Sequence, residues 1–201
     1  MSEVITHHTE DAVNDAQRVS QPDIKPYILV GSDNPILQEV ISEFDFGAPE
    51  IEPIELASRM VETCKLHNGY GLSANQCGVK ARVFVMGAGE EYVAFFNPRI
   101  VAVSGESHME EACLSFPLLG LKITRPAEIM VEYQDYNGTP RKATYVGISA
   151  RCFQHELDHM NGIVYTQRCK PLALSMATKK RDKMVKNLFK FNNGNITTKR
   201  R

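Results

Sequence analysis

The run His155-Glu156-Leu157-Asp158-His159 constrains this chain more than any other five residues in it. At this His and Glu content, chance predicts about 0.014 H-E-x-x-H patterns in a chain of this length, so coincidence explains it poorly. The pattern has chemical meaning on a helix, where positions i and i+4 share a face and two imidazoles can grip one metal ion. Glu156 sits beside that face, where it can reach water at the ion rather than the ion itself. The flanks agree: Ser149 is a good N-cap and Gly162 a good stop, so a helix is expected between them.

The rest of the chain reads as a mixed fold. Residues 54–67 predict a helix: Ile54, Ala57, Val61 and Cys64 share a stripe, with Pro53 at the start and Gly69 just past the end. Residues 82–86, 92–96 and 100–103 are β-rich, and 129–134 with 142–146 frame an Asn137-Gly138 turn as a hairpin. A last helix is expected from about Leu172 to Phe191. Strands without regular intervening helices argue for an α+β fold with mainly antiparallel sheets. At 201 residues, 43% apolar and 23% charged, the chain is neither disordered nor a coiled coil. No apolar run approaches the ~18 residues of a membrane span, and the first residues lack a secretory signal, so a cytoplasmic address is expected.

A catalytic metal needs a third ligand and an open position. One metalloprotease group places a third His six residues after the second, but Tyr165 stands there. Another uses a downstream Glu, and no Glu follows Glu156. Cysteine is the remaining soft ligand. The five cysteines (64, 77, 113, 152 and 169) contain no C-x-x-C, so neither a disulfide framework nor a four-cysteine zinc site is indicated. Cys113 lies in Glu110-Glu111-Ala112-Cys113-Leu114-Ser115-Phe116-Pro117, a stretch that reads as too polar and too broken by Pro117 for a core strand. Cys152, three residues before His155, competes with it. Spacing alone favours Cys113 only modestly.

A third segment, Gly69-Tyr70-Gly71-Leu72-Ser73-Ala74-Asn75-Gln76, combines glycines that admit close backbone approach with an amide able to donate to a developing oxyanion. Together GYGLSANQ, EACLS (111–115) and QHELDHMNG (154–162) resemble, in order, the three motifs of the peptide deformylase family: G-φ-G-φ-A-A-x-Q, E-G-C-φ-S and Q-H-E-φ-D-H-φ-x-G, with φ apolar. The resemblance runs from about Tyr27 through the last helix. Two positions depart: Ser73 replaces the first Ala, and Ala112 replaces the Gly of the cysteine motif.

The resemblance implies a hydrolase that removes the N-formyl group from nascent chains beginning with formyl-methionine. It implies three antiparallel sheets around the H-E-x-x-H helix, and a metal held by Cys113, His155 and His159. The metal would be ferrous iron, with zinc, nickel or cobalt able to substitute; ligand type alone does not separate iron from zinc. Glu156 would be the acid/base, with the Gln76 side chain and the Leu114 backbone N–H stabilising the oxyanion and Gln154 supporting the ligands. The peptide would add as a strand along Tyr70, Gly71 and Ala112. Tyr70, Met109, Ile148 and Cys152 would line the methionine pocket.

Two alternatives need weighing. An H-E-x-x-H metallopeptidase lacks its usual third ligand here. A ribosome- or RNA-binding protein with a structural metal would close the site with a fourth Cys or His. The charge pattern still points to a polyanionic partner. Residues 168–201 carry 11 Lys and Arg against one acid, and residues 1–167 carry 12 against 23. The expected organisation is a flexible extension over 1–24, a catalytic domain over 25–170 and a basic helix and tail over 171–201 that meets the ribosome. No membrane or DNA partner is expected.

Overall fold

The computed structural model describes residues 24–198, with side chains through Lys190. The expected extension over 1–24 therefore lies, apart from Ile24, outside the described residues. Helix α1 (Pro53–Leu66) begins with proline at its first turn and buries Leu56, Ala57, Met60, Val61 and Cys64. Ile54, placed on that stripe by its spacing, falls on the flank of the buried arc and stays exposed. Strands β1 (Gly71–Ser73), β2 (Val83–Ala88), β3 (Glu91–Ser104), β6 (Glu128–Gln134) and β7 (Pro140–Val146) form one antiparallel sheet in the order β1-β2-β3-β6-β7. Strands β4 (Ser107–Cys113) and β5 (Phe116–Arg125) form a separate two-stranded ribbon. Helices α2 (Gly147–Met160) and α3 (Pro171–Thr198) complete the α+β fold. Among the described residues no helix is long and apolar enough to cross a membrane.

Helices α1 and α2 cover opposite faces of the large sheet. Val83 and Val85 pack with α1, whereas Phe84 and Met86 pack with Phe153, Leu157 and Met160 of α2. Apolar cover on both sides explains why Val83 to Met86 are all buried, unlike a strand with one wet face. Phe153 meets Phe84 edge-on at 4.9 Å and Phe95 at 5.3 Å. Residues 153 and 155 are about 200° apart around a helix. Anchoring Phe153 to the sheet thus turns the histidine face toward the β4–β5 ribbon. A third cluster joins Leu119, Leu121 and Ile123 of the ribbon to Ile36, Leu37 and Tyr165, with Leu174 and Ala177 of α3 against it.

Several expectations change. Two sheets are present among the described residues rather than three, because β3 is one bent strand and not the two short ones read from residues 92–103. Its first half pairs with β2 and its second with β6, across register shifts after Phe96 and Ile100. Asn97 makes the bend tolerable: it adopts φ +48°, and its side chain bonds both Phe44 N–H and Phe44 C=O. The stretch around Cys113, too polar and too broken in sequence for a core strand, lies in the β4–β5 ribbon. Ala112 faces residues 117–120, four residues where regular pairing supplies one, and Pro117 sits in that bulge, where no ladder hydrogen bond is lost. Helix α2 begins at Gly147, so Ser149 lies within its first turn instead of capping it. Gly162 does end it: φ is +68°, and a side chain there would come within 2.6 Å of the Gln38 carbonyl oxygen.

Candidate active site

Helix α2 presents His155, Glu156 and His159, all buried, to the end of strand β4, where Cys113 is buried too. One ligand atom from each of Cys113, His155 and His159 lies within 4.8 Å of the other two. Cys113 Sγ is 3.3 Å from His159 Nε2. A thiol and two imidazoles converging at this spacing suit a soft or borderline divalent metal, and three protein ligands leave a position open for water or substrate. Of the other four cysteines, Cys169 donates to the Thr166 carbonyl at 3.3 Å outside the cluster, and the remaining three are poor candidates. Burial pushes the Cys64 and Cys77 thiols up to about 12 and Cys152 well above its ordinary range. Thiolate formation, which metal binding needs, is disfavoured at all three.

Each ligand is held from behind. His155 Nδ1 lies 2.9 Å from Glu111 Oε2, which leaves Nε2 to face the site. Burial acts to raise the Glu111 pKa, but hydrogen bonds from Arg125, His155 and Arg151 reverse this and hold the carboxyl well below its usual range. Arg125 spans Glu111, at 2.6 and 2.9 Å, and Asp158 at 2.7 Å; Arg151 adds a 2.9 Å bond to Glu111. Burial acts to lower the His155 pKa, yet Cys113 and Glu111 lift it to about 10 in the metal-free chain. His159 falls to about 3, through burial and then the charges of His155 and Arg125.

The network has a consequence for stability. Glu111 has an ordinary pKa of 4.5 and a folded value below it. Its contribution is therefore fully present above 4.5 and is lost as pH falls from there toward the depressed folded value. Urea midpoints measured from pH ~6 to ~3 should fall steeply in the native chain. In Glu111→Gln that acid limb should be flatter, although the variant is weaker at neutral pH. Parallel limbs in the two proteins would exclude Glu111 as the titrating group.

Gln76 lies in the 3₁₀ turn Ala74–Cys77, directly after β1. Its Oε1 accepts the Ser73 N–H at 2.9 Å, and its Nε2 reaches Ser115 Oγ at 3.1 Å and Cys113 Sγ at 3.4 Å. Leu114 follows Cys113 in the turn between β4 and β5. Among the substrate-side candidates, Ile148 and Cys152 lie four residues apart on the α2 stripe that continues to Glu156. Met109 shares the alternating face of β4 with Glu111 and Cys113. Ala112 is exposed at the ribbon's bulge. Tyr70 is 63% exposed beside β1. Gly71 is close to Glu156 and Cys152: a Cβ on it would lie 2.6 Å from both Glu156 Oε1 and Cys152 Sγ. Gln154, expected to support the ligands, instead bonds the Ala150 and Pro126 carbonyls, so it ties α2 to the chain before β6. Glu111 takes the supporting role. Spacing also missed Ser73, Asn75, Ser115, Arg125, Arg151 and Asp158. Asn75 Nδ2 bonds the His159 carbonyl at 2.8 Å, clamping the GYGLSANQ segment to the end of α2.

An H-E-x-x-H helix packed between antiparallel sheets, with a buried Cys and two His converging beside a carboxylate, defines a metal-dependent hydrolase. A profile of the polypeptide deformylase family matches residues 26–175. The chain is 41% identical over 123 residues to the peptide deformylase of Thermotoga petrophila, covering 61% of this chain and 75% of that protein. It is 36% identical over 142 residues to the Carboxydothermus hydrogenoformans enzyme, covering 71% and 92%. Its fold matches the crystal structure of a Legionella pneumophila peptide deformylase with a TM-score of 0.73 at 30% identity, over 81% of this chain and 97% of that one. The chain belongs to the peptide deformylase family, whose members are metal-dependent hydrolases that remove the N-formyl group from the amino terminus of polypeptides.

Proposed function

We propose that Cys113, His155 and His159 hold one ferrous ion, that Glu156 is the acid/base, and that Gln76 and the Leu114 backbone N–H stabilise the oxyanion as formyl-methionine is deformylated on nascent chains in the cytoplasm. The observation that carries this reading is the meeting of the Cys/His/His cluster with a buried carboxylate and a buried amide from three separate chain segments. A metal held by Cys113, His155 and His159 would supply Lewis-acid chemistry, lowering the pKa of water and polarising a carbonyl. Glu156 then takes a proton from the attacking water and returns it to the leaving nitrogen. Burial raises the Glu156 pKa, with His155 and Ser73 opposing the rise, and a raised value suits a group that must both accept and donate near neutrality. Gln76 Nε2 reaches Cys113 Sγ and Ser115 Oγ beside the ligand cluster, and one of its two N–H groups would turn to the formyl oxygen as charge develops there. The edge of β1, unpaired among the described residues, offers backbone for an added peptide strand at Tyr70 and Gly71, with Ala112 on the ribbon side. Tyr70, Met109, Ile148 and Cys152 would take the methionine side chain.

Nickel, cobalt or zinc can occupy the same donors. Iron is tested by anaerobic purification with metal content and formyl-Met-peptide hydrolysis measured in parallel. Activity should track iron and decay in air, and replacement with nickel or cobalt should restore an air-stable enzyme. A fully active zinc enzyme as isolated would refute the iron assignment. An ordinary unformylated peptide should remain uncut, and its cleavage would favour the metallopeptidase reading.

The ribosome reading concerns residues 171–201, taken as a docking segment beside the catalytic unit at 25–170. In α3, Leu174 and Ala177 pack on the β5 cluster, whereas Lys179, Lys180, Lys183, Lys186 and Lys190 are exposed, as are Leu188 and Phe189. Lys199, Arg200 and Arg201 extend the charge but lie outside the described residues. Deleting residues 179–201 should strongly weaken ribosome co-sedimentation and its salt dependence, through lost phosphate contacts. It should leave tripeptide hydrolysis nearly intact, because the packed start of α3 remains. Unchanged co-sedimentation would sink the docking idea; matched loss of hydrolysis would make the segment part of the fold.

A further inference from the structure

Ser73 is fully buried at the end of β1 and touches two parts of the reaction centre at once. Its backbone N–H donates to Gln76 Oε1 at 2.9 Å. Its hydroxyl lies 2.7 Å from Glu156 Oε2 and 3.1 Å from the Glu156 carbonyl oxygen. A hydroxyl has one proton to give. The carboxylate is the nearer acceptor and, when ionised, the stronger one. Oε2 of Glu156 is therefore occupied. The other oxygen, Oε1, packs over Gly71, where a Cβ would come within 2.6 Å of it. Gly71 belongs to β1, whose outer edge carries no strand partner among the described residues. The two carboxylate oxygens thus sit in different surroundings, one tied inward and one facing the strand edge.

We propose that Ser73 is a positioning residue that ties Glu156 Oε2, so that Oε1 alone carries the proton during deformylation. One proton moves: it leaves the attacking water for Oε1, then passes from Oε1 to the formamide nitrogen as the C–N bond breaks, giving the free amine and formic acid, which loses its remaining proton to solvent as formate. The inference rests on the acid/base reading of Glu156. It adds that a carboxylate with free rotation about its last torsion, a broad two-fold well, would spend part of its time with neither oxygen aligned. It also gives a role to the serine that stands where the family motif has alanine.

The test is Ser73→Ala, which removes one oxygen and adds no bulk, with Glu156→Gln as the reference variant. With metal content and thermal midpoint close to those of the native chain, Ser73→Ala should lower kcat about tenfold and leave KM for a formyl-Met peptide unchanged. A second readout needs no turnover. In the metal-free protein, the infrared carboxyl band of Glu156, identified by subtracting the Glu156→Gln spectrum, should shift when the hydroxyl is removed. Native kcat in Ser73→Ala, or an unmoved band, overturns the proposal. So does a rise in KM alone, which would place Ser73 in peptide binding, or loss of metal, which would place it in ligand support. Full turnover by Glu156→Gln would remove the reading beneath the proposal. An inactive Glu156→Gln beside a fully active Ser73→Ala would remove the proposal only.

Discussion

Glu156→Gln should retain its metal and lose nearly all turnover, by about 10²- to 10⁴-fold. The geometry separates the two properties. Glu156 lies outside the Cys113, His155 and His159 cluster, so its replacement removes no ligand atom. Glutamine has the same shape, can still accept from Ser73, and leaves the Glu111 bond to His155 in place. What it cannot do is take a proton from water and return it to nitrogen. The loss should appear in kcat and in kcat/KM alike, as expected for an interaction made only in the transition state. Metal analysis beside steady-state hydrolysis of a formyl-Met peptide decides it. A metal-free Glu156→Gln would assign the carboxylate a structural role, and a metal-loaded, active one would place the acid/base elsewhere.

The elements that could be read from sequence were those whose signal is local. Helix α2 follows from the H-E-x-x-H spacing and the stop at Gly162, and α1 from Ala57, Val61 and Cys64. The three motif segments are contiguous runs, so the candidate ligands stood out before any geometry was known. The ribbon that carries Cys113 did not. Its inward positions include Glu111 and Arg125, charged residues that hide the apolar alternation of a strand and are buried as a pair 14 residues apart. Alternation at Leu119, Leu121 and Ile123 was a usable strand signal, masked by Pro117. The long-range supports are invisible to spacing in principle: Ser73 meets Glu156 across 83 residues, and Arg151 meets Glu111 across 40. Such pairs arise only when folding brings segments together. The bend that lets β3 serve two partners likewise depends on Asn97 finding Phe44, 53 residues away.

Cys113→Ala should strip the metal, whereas Cys64→Ala and Cys77→Ala should keep it. Only Cys113 places sulfur within 4.8 Å of ligand atoms on both histidines. Cys64 donates to the Gly69 carbonyl at 3.2 Å and, like Cys77, lies in the core beneath α1. With burial holding both thiols up to about 12, neither supplies a thiolate at neutral pH. Removing a supporting group around a metal commonly costs about 10- to 100-fold in affinity, and removing a ligand itself should exceed that. Cys113→Ala should therefore fall to background hydrolysis after anaerobic dialysis against a chelator, while the other two variants show only the stability loss of a small core truncation. Cys152 provides the sharper control. It stands next to Gly71 and Glu156, near enough to the chemistry to compete as a ligand, yet its thiol is also held protonated by burial. Cys152→Ala should keep its metal and alter, at most, the affinity for the methionine side chain. If Cys152→Ala loses metal while Cys113→Ala retains it, the sulfur ligand comes from helix α2 and not from the ribbon.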